Sequence, residues 1–322
     1  MERKSPVVVG MDTKTFYYDK DNKPAAYIKS GDEVIFFSED ANVSLITEES
    51  HIWNDFQKLV AAGGGCNPVT GPVYVEGAKA GGCIAVEILD VKAGEERGGG
   101  YSSLYPGLGA LSNAGSIQAD LEARTKICKI EGDQATFKPH NDKKPFKFDL
   151  NRFVGSIGVA PKEERRFTYY GGKEFCGNVD CPDVKAGATI IMPANVDGAL
   201  LSLGDIHGAQ GDGEITGCAL ECRGETRVRV TAMSREEAKY CDWPQCNTEE
   251  EIGAIICDGG NNLTDQIRKG YVELVKRMVK YYGFDALDAY QLLNLVGRVR
   301  IGQLGGDMNS CVVKIARKYL EQ

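Results

Sequence analysis

The sequence predicts a mainly β fold with a helical C-terminal part, and a possible short helix at residues 55–62. Glycine is abundant, with 39 glycines among 322 residues, and frequent glycines favour the many turns of a β-rich chain. Short apolar runs of strand length recur before residue 232, whereas helical spacing of apolar residues begins after it. We therefore expect a β-rich body over residues 1–232, and a mainly helical part over residues 233–322 packed on that body.

The charge and the hydropathy of the chain exclude two classes of partner. The formal net charge is −8, which opposes binding to nucleic acid or to an anionic membrane surface. No apolar run reaches the ~18 residues of a transmembrane helix, and residues 1–9 lack the apolar core of a signal peptide. We expect a cytoplasmic protein whose eleven cysteines are reduced thiols.

Several segments of the body have the length and composition of strands. The clearest are residues 34–37, 73–75 and 84–91. Residues 126–137 predict a hairpin, because two apolar runs flank the turn Glu131-Gly132-Asp133, and residues 146–150 can extend that sheet.

Two other parts of the body are a glycine-rich stretch and a pair of strands. Residues 98–109 combine glycines with two tyrosines, which is typical of a loop that covers a site or of a linker on the surface. Residues 189–192 and 199–203 predict two strands that pair with each other, joined near Asn195. The second of these strands leads directly into a polar turn.

Helical signals begin after Ala232. Ser234 and Thr248 are each followed three residues later by glutamate, the pattern of a capping box at a helix start. Residues 264–282 predict the clearest helix, with an apolar stripe that ends at a glycine. Asp285 can cap a second helix that ends near Gly297, so the two helices form a hairpin. Residues 299–320 are compatible with either strand or helix.

Residues 204–214, Gly-Asp-Ile-His-Gly-Ala-Gln-Gly-Asp-Gly-Glu, form the stretch around which we expect the site to be built. Two aspartates, a glutamate, a glutamine and a histidine alternate with four glycines. Glycine permits positive φ and close approach of neighbouring groups, and acidic and imidazole groups can bind a metal ion or transfer protons. The alternative is a solvated polar hairpin.

A divalent metal ion is the cofactor that these residue types indicate. The sequence contains three histidines, and His207 is two residues from Asp205, a spacing that places both on one face of a strand. We expect His207, Asp205 and Asp180 to be ligands, with Asp40 as a fourth. Mixed nitrogen and oxygen ligands favour Zn²⁺, whereas a set composed of carboxylates suits Ca²⁺ or Mg²⁺.

The same stretch, with residues 70–78, 155–161 and 177–180, resembles the acetamidase/formamidase family, and the four blocks occur in the family's order. The resemblance implies a β/β/α sandwich that assembles as a homodimer or a larger homo-oligomer. It also implies hydrolysis of a short aliphatic amide to a carboxylate and ammonia. The alternatives are a small-molecule or metal-binding protein on the same scaffold, and a hydrolase of another C–N bond, such as that of a cyclic amide.

For this chemistry we expect Glu214 to be the general base, with Asp212 as the alternative. Asn178 and Gln210 are expected either to hydrogen-bond the amide substrate or to brace the loop. The chain also departs from the family pattern. Asn67 and Cys176 stand where the family commonly has histidine, and Cys83 where it has aspartate. If either histidine is a ligand in relatives, this chain has an altered metal site or none.

Overall fold

The molecule is a three-layer arrangement of two β-sheets and a pair of helices, and the predicted fold class is confirmed. The computed structural model describes residues 5–111, 121–259, 262–305 and 308–321. One sheet has nine strands and the other has twelve, and a two-stranded ribbon lies apart from both.

The nine-stranded sheet forms the middle layer. Its strands run in the spatial order β1-β5-β19-β7-β16-β20-β21-β23-β22, and β1 is parallel to β5 while the other neighbours are antiparallel. In chain order its strands are Val7–Val9 (β1), Glu33–Ser38 (β5), Cys83–Ala93 (β7), Thr189–Pro193 (β16), Gly224–Met233 (β19), Gln245–Asn247 (β20), Glu251–Ile256 (β21), Arg298–Gly305 (β22) and Met308–Ala316 (β23).

The twelve-stranded sheet covers one face of the first. Its main path is β11-β10-β9-β8-β18-β17-β12-β15-β14, and β6 pairs with β17, β2 and β4 beside that path. Its strands are Lys14–Thr15 (β2), Ala26–Lys29 (β4), Val69–Glu76 (β6), Gly99–Leu104 (β8), Arg124–Glu131 (β9), Gln134–Phe137 (β10), Phe146–Asp149 (β11), Phe153–Gly158 (β12), Gly171–Gly172 (β14), Cys176–Asn178 (β15), Leu201–His207 (β17) and Glu221–Cys222 (β18). The ribbon pairs Tyr17–Tyr18 (β3) with Arg166–Phe167 (β13).

Two apolar cores hold the layers together. The larger lies between the sheets, where valines of β5, β7 and β19 meet valines and leucines of β6, β12 and β17. The smaller lies under the two C-terminal helices, Leu263–Tyr282 (α2) and Ala286–Val296 (α3), where Leu274, Met278 and Leu293 contact β21 and β23. Burial of these apolar side chains is the main stabilising term of such an arrangement.

The helix termini follow from capping chemistry that the sequence displays. A short helix, Phe56–Gly63 (α1), begins at Asp55, whose side chain accepts hydrogen bonds from two backbone amides. Helix α2 begins after Asn262 and ends at Gly283, which has φ of 72°, a conformation that glycine adopts without strain. Asp285 caps α3 as expected, so the predicted helical hairpin is confirmed. No described helix is long and apolar enough to cross a membrane.

Several expectations about strands need correction. Residues 189–192 and 199–203 were expected to pair, but β16 lies in the nine-stranded sheet and β17 in the other. Residues 99–104 form strand β8, so this part of the glycine-rich stretch is neither a lid nor a linker. For residues 299–320 the sequence left strand and helix open, and the structure has strands at residues 298–305 and 308–316. The alternation of apolar residues along a strand shows which face of the strand is buried. It does not show which other strand lies beside it.

The first capping box forms without the helix that such a box normally begins, and the second forms only in part. Ser234 and Glu237 exchange hydrogen bonds, but a single turn follows. Thr248 accepts from the amide of Glu251, and strand β21 begins there. The box therefore marks a turn in both cases. Residues 233–322 contribute four strands of the nine-stranded sheet in addition to their helices.

The packing of α2 predicts a stability effect. Leu274 is 0% exposed and Val272 on the same helix is 55% exposed. Leu274→Ala should lower the free energy of unfolding by about 2–5 kcal/mol, because it removes buried methyl groups and leaves a cavity. Val272→Ala is the matched control and should change it by less than about 0.5 kcal/mol. Urea denaturation followed by far-UV circular dichroism measures both, and equal effects would contradict the packing described.

Candidate active site

Strand β17 carries two of the expected site residues. Asp205 and His207 lie inside this strand, not in a short turn, and the strand is buried along its whole length. Residues two apart on a strand project from the same face, and His207 Nε2 lies 3.5 Å from Asp205 Oδ1. The structure therefore brings together the two side chains that the sequence placed on one face.

Glu221, which the sequence analysis did not select, faces the same imidazole. Strands β17 and β18 pair so that His207 is directly opposite Glu221, and directly opposed residues share a face of the sheet. Glu221 Oε2 lies 3.3 Å from His207 Nε2. Its only sequence signal was a position in a strand-like run after the glycine-rich stretch, and that signal becomes informative only when the register is known.

Asp180 completes the group from the end of β15. Its Oδ1 lies 3.9 Å from His207 Nε2, and single ligand atoms of Asp180, Asp205 and His207 all lie within 4.8 Å of one another. We call Asp180, Asp205, His207 and Glu221 the His207 cluster. All four side chains are buried.

One oxygen of Asp205 is held by hydrogen bonds while the other is not. Asn67 Nδ2 donates to Asp205 Oδ2 at 2.8 Å, and Ser156 Oγ lies 3.0 Å from the same atom. Asp205 Oδ1, which faces His207, has no hydrogen-bond partner. Asn67, at a position where the resemblance implied a lost histidine, thus orients a carboxylate of the cluster.

The carboxylates of Asp180 and Glu221 also have one hydrogen-bonded oxygen and one oxygen without a partner. Asp180 Oδ2 accepts from Gln303 Nε2, and Glu221 Oε1 accepts from the backbone amide of Ala219 at 2.8 Å. Asp180 Oδ1 and Glu221 Oε2, which face His207, have no partner. Each carboxylate is therefore held through one oxygen and presents the other towards the imidazole.

Gln210 determines which nitrogen of His207 carries hydrogen. Gln210 Nε2 donates to the carbonyl oxygens of Asp180 at 2.6 Å and Gly302 at 3.0 Å, so the other end of the amide is its oxygen. That oxygen lies 3.1 Å from His207 Nδ1 and can only accept. His207 Nδ1 therefore carries the hydrogen, and in the neutral ring Nε2 presents a lone pair to three carboxylate oxygens.

The cluster needs a positive charge at its centre. Burial lowers the pKa of His207, but Glu221 and Asp205 outweigh burial and hold that pKa well above its usual value. Burial, together with the charges of Glu214 and Asp205, raises the pKa of Asp180 well above its usual range. Buried like charges are costly unless a proton or a cation balances them.

The donor set of the His207 cluster fits a divalent cation. Three unpartnered carboxylate oxygens lie 3.3, 3.5 and 3.9 Å from His207 Nε2. The ligand atoms form two compact triads that share His207, one with Asp180 and Asp205 and one with Glu214 and Glu221. Ligands about 2.1 Å from a tetrahedral ion are separated from one another by about 3.4 Å. A hydrogen bond from the far side of each ligand, as found here, is the usual support of a metal site.

Glu214 lies next to the cluster in a strained backbone conformation. Its φ is 41°, and its carboxylate forms a second compact group with His207 and Glu221. Burial raises the pKa of Glu214 to about 8. Asp212, the alternative base, is at the surface in an ion pair with Arg300, 2.8 Å from Oδ1 to Nε. Asp212 does not reach the cluster.

Asp40 also lies apart from the cluster, although it was expected to be a fourth ligand. Its Oδ2 pairs with Arg97 Nη1 at 3.0 Å, and its Oδ1 accepts from the backbone amides of Asn42 and Ser44. Burial raises its pKa to about 6. The structure corrects the expectation, because both oxygens of Asp40 are already used and Glu221 occupies the position beside His207.

Close backbone approach at Gly155 makes the cluster possible. A Cβ at this position would overlap Asp180 Oδ1 and approach Asp205 Oδ2, so no larger residue fits. Asn67, Asp180 and Asp205 have φ of 48°, 42° and 59°. Non-glycine residues rarely adopt such angles, and they concentrate where surrounding structure holds functional groups in place.

Asn178 is buried at the edge of the cluster with one half of its amide unused. Ser156 Oγ lies 2.6 Å from Asn178 Oδ1, and Nδ2 has no partner. Gln210 is the other expected substrate contact, and all three hydrogen bonds of its side chain are made to groups of the protein.

The cysteines at positions that depart from the family pattern are buried. Cys176 is buried beside Cys257, and Cys83 is buried in β7. All eleven cysteines are free thiols.

A cavity of about 310 Å³ opens onto the cluster. Asn67, Asn178, Asp180, Glu214 and Glu221 line its inner end. A larger cavity of about 590 Å³ lies on the other side of the 209–220 loop, and it is bounded by Phe137, Phe148 and Glu214 but by no member of the His207 cluster. The smaller cavity is therefore the candidate substrate site.

Comparison with protein families identifies a match over most of the chain. The model of the acetamidase/formamidase family matches residues 14–169 and 165–306. The chain superposes on the crystal structure of an acetamidase from Bacillus halodurans with a TM-score of 0.86 and 31% identity, covering 98% of this chain and 99% of that one.

Two curated relatives are more distant. A formamidase of Methylophilus methylotrophus is 25% identical over 222 residues, 53% of each chain. An acetamidase of Mycolicibacterium smegmatis is 27% identical over 248 residues, 55% of this chain and 60% of the relative. The chain thus spans only about half the length of the curated relatives that it matches.

Proposed function

Because the chain belongs to the acetamidase/formamidase family, we propose that it hydrolyses linear amides to a carboxylate and ammonia with the help of a divalent metal ion. Short aliphatic amides such as formamide and acetamide are the simplest substrates. The observation that carries the proposal is the His207 cluster, in which three buried carboxylate oxygens without partners surround one imidazole nitrogen.

His207, Asp205 and Asp180 would hold the ion, and Glu221 replaces Asp40 as the fourth ligand. The imidazole favours Zn²⁺, while the three carboxylates leave Ca²⁺ and Mg²⁺ as alternatives. When bound, the ion supplies polarisation of the amide carbonyl and a more acidic water. Asn67, Ser156, Gln303 and Gln210 are positioning residues that hold the ligands.

Glu214 is proposed as the general base and then the general acid. Its carboxylate takes a proton from the attacking water and delivers it to the amide nitrogen, which leaves as ammonia. Partial burial supports this role, because it raises the pKa of Glu214 towards the pH at which an enzyme must both accept and donate a proton. Asp212 is unsuited, since its carboxylate is exposed and paired with Arg300.

Asn178 is proposed to bind the amide nitrogen of the substrate. Ser156 has a single hydroxyl hydrogen but lies near two acceptors, Asn178 Oδ1 and Asp205 Oδ2. If the Asn178 amide is rotated by half a turn, Asn178 donates one of its two amide hydrogens to Ser156 and Ser156 donates its hydroxyl hydrogen to Asp205, so that the Ser156 hydroxyl accepts from one neighbour and donates to the other. This rotation turns the Asn178 oxygen to the cavity, where it can accept from the substrate NH₂.

The first prediction concerns metal content. His207→Ala and Asp205→Ala should each lose the bound divalent ion that elemental analysis finds in the wild type, because each removes one ligand. Asp40→Asn is the control and should retain it. Lowering the pH should release the ion from the wild type, since protons compete for His207 and the carboxylates. Unchanged metal content in both alanine variants would contradict the proposed site.

The second prediction concerns Glu214. Glu214→Gln should keep the fold and the bound ion while lowering kcat for ammonia release by about 10²–10⁴-fold or more, the usual contribution of a general base. KM should change little, because the loss acts on the transition state. Asp212→Asn is the matched control from the same loop and should stay within a few-fold of wild type. The reverse pattern would exchange the two roles.

The third prediction separates the two possible orientations of Asn178. Asn178→Ala should lower kcat/KM for acetamide about tenfold, the value of one hydrogen bond, and leave ethyl acetate hydrolysis unchanged, because the ester has no N–H to donate. If Asn178 instead donates to the developing oxyanion, both substrates should lose activity equally. Ammonia and acetate assays on the same preparations distinguish these results.

A further inference from the structure

The cavity above the His207 cluster has two chemically different ends. Its inner end is formed by the carboxylates and amides of the site. The rest of its wall is mainly apolar and aromatic, with Phe56, Tyr105, Leu108, Tyr169, Tyr170 and Met308 beside the amides of Asn42 and Gln57. No lysine or arginine is among the described residues that line it.

Contacts within the protein hold the Tyr105 side of the aromatic wall, whereas Tyr170 is 42% exposed. Tyr105 is buried, and its hydroxyl accepts a hydrogen bond from Asn42 at 3.1 Å. Phe56, the first residue of α1, lies 5.1 Å from the Tyr105 ring, and the Tyr169 and Tyr170 rings are 4.3 Å apart. Preformed walls bind an apolar group without the entropy cost of ordering side chains.

The volume exceeds what a short amide needs. The cavity holds about 310 Å³, whereas acetamide occupies roughly three times the ~30 Å³ share of one water in the liquid. Pockets of about 300 Å³ and above are those that enclose ligands of drug-like size. With acetamide bound at the inner end, most of the aromatic part would remain without contact to substrate.

We propose that the preferred substrates are primary amides with a bulky, uncharged, apolar acyl group, such as an aryl or a five- to six-carbon alkyl group. This inference rests on the proposed function and adds the substrate class. The amide end meets the polar floor, and the acyl group lies against the aromatic wall. Formamide and acetamide are hydrolysed with a lower kcat/KM.

Burial of the acyl group supplies the selectivity. Each buried methylene is worth about fourfold in binding, and binding energy from parts of a substrate remote from the reacting bond raises kcat/KM. Extension from acetamide to hexanamide adds four methylenes, so we expect an increase of about 10²-fold. The carboxylates of the floor repel a negative charge, so succinamate should be a poorer substrate than hexanamide.

The test compares kcat/KM for acetamide, hexanamide, phenylacetamide and succinamate by ammonia release from the metal-loaded full chain. We expect phenylacetamide and hexanamide to exceed acetamide by at least tenfold. Leu108→Trp fills the apolar part and should lower the ratio of phenylacetamide to acetamide at least tenfold. Leu287→Trp, on the exposed surface of α3, is the matched control and should leave that ratio unchanged.

Calorimetry with the Glu214→Gln variant measures the binding of amides independently of their hydrolysis, so it tests the substrate preference apart from the proposed function. Phenylacetamide should bind at least tenfold more tightly than acetamide, and Leu108→Trp in this background should remove the difference. If acetamide is hydrolysed and phenylacetamide is not preferred in either assay, the inference is wrong and the proposed function stands. If no amide is hydrolysed but phenylacetamide binds with this preference, the proposed function fails and the assigned specificity stands.

Discussion

The structure depends on one electrostatic constraint, the convergence of three buried carboxylates on the Nε2 atom of His207. Each carboxylate has one oxygen held by a hydrogen bond and one that points to the imidazole without a partner. Such an arrangement is stable only when a cation or a proton lies among the oxygens. The amide of Gln210 places the hydrogen of the neutral imidazole on Nδ1. A neutral His207 therefore has no hydrogen on Nε2 to donate to the carboxylates.

The fold satisfies this constraint by drawing single residues from distant parts of the chain. Asn67 precedes β6, Asp180 follows β15, His207 ends β17 and Glu221 begins β18. Gln303, on β22, donates to Asp180, so the C-terminal segment helps to hold a carboxylate of the His207 cluster. The nine-stranded sheet positions β22 beside the 204–214 stretch, where Gly213 and Gln303 form a bridge.

Burial of the His207 cluster strengthens the electrostatic interactions of its carboxylates. Charges in a buried site are screened far less than in water, so the unpartnered oxygens act strongly on an ion and on Glu214. The cavity beside them is polar at the inner end and aromatic further out. In the proposed function, the carbonyl and the amine leaving group would lie at the charged end, and the acyl chain would lie against the aromatic surface. Hydrolysis and selection of the acyl group would then use different walls of one cavity.

Local patterns in the sequence predict the fold class, helices α2 and α3 with their caps, the 124–149 meander and the shared face of Asp205 and His207. These features depend on local periodicity, on capping residues and on the two-residue repeat of a strand. Long-range contacts place Glu221 and not Asp40 beside the imidazole, let Asn67 and Gln303 hold the carboxylates of Asp205 and Asp180, and assign β16 and β17 to different sheets. The physical reason is that strand register and long-range pairing depend on how two sheets pack together, and no local pattern of residues records that packing.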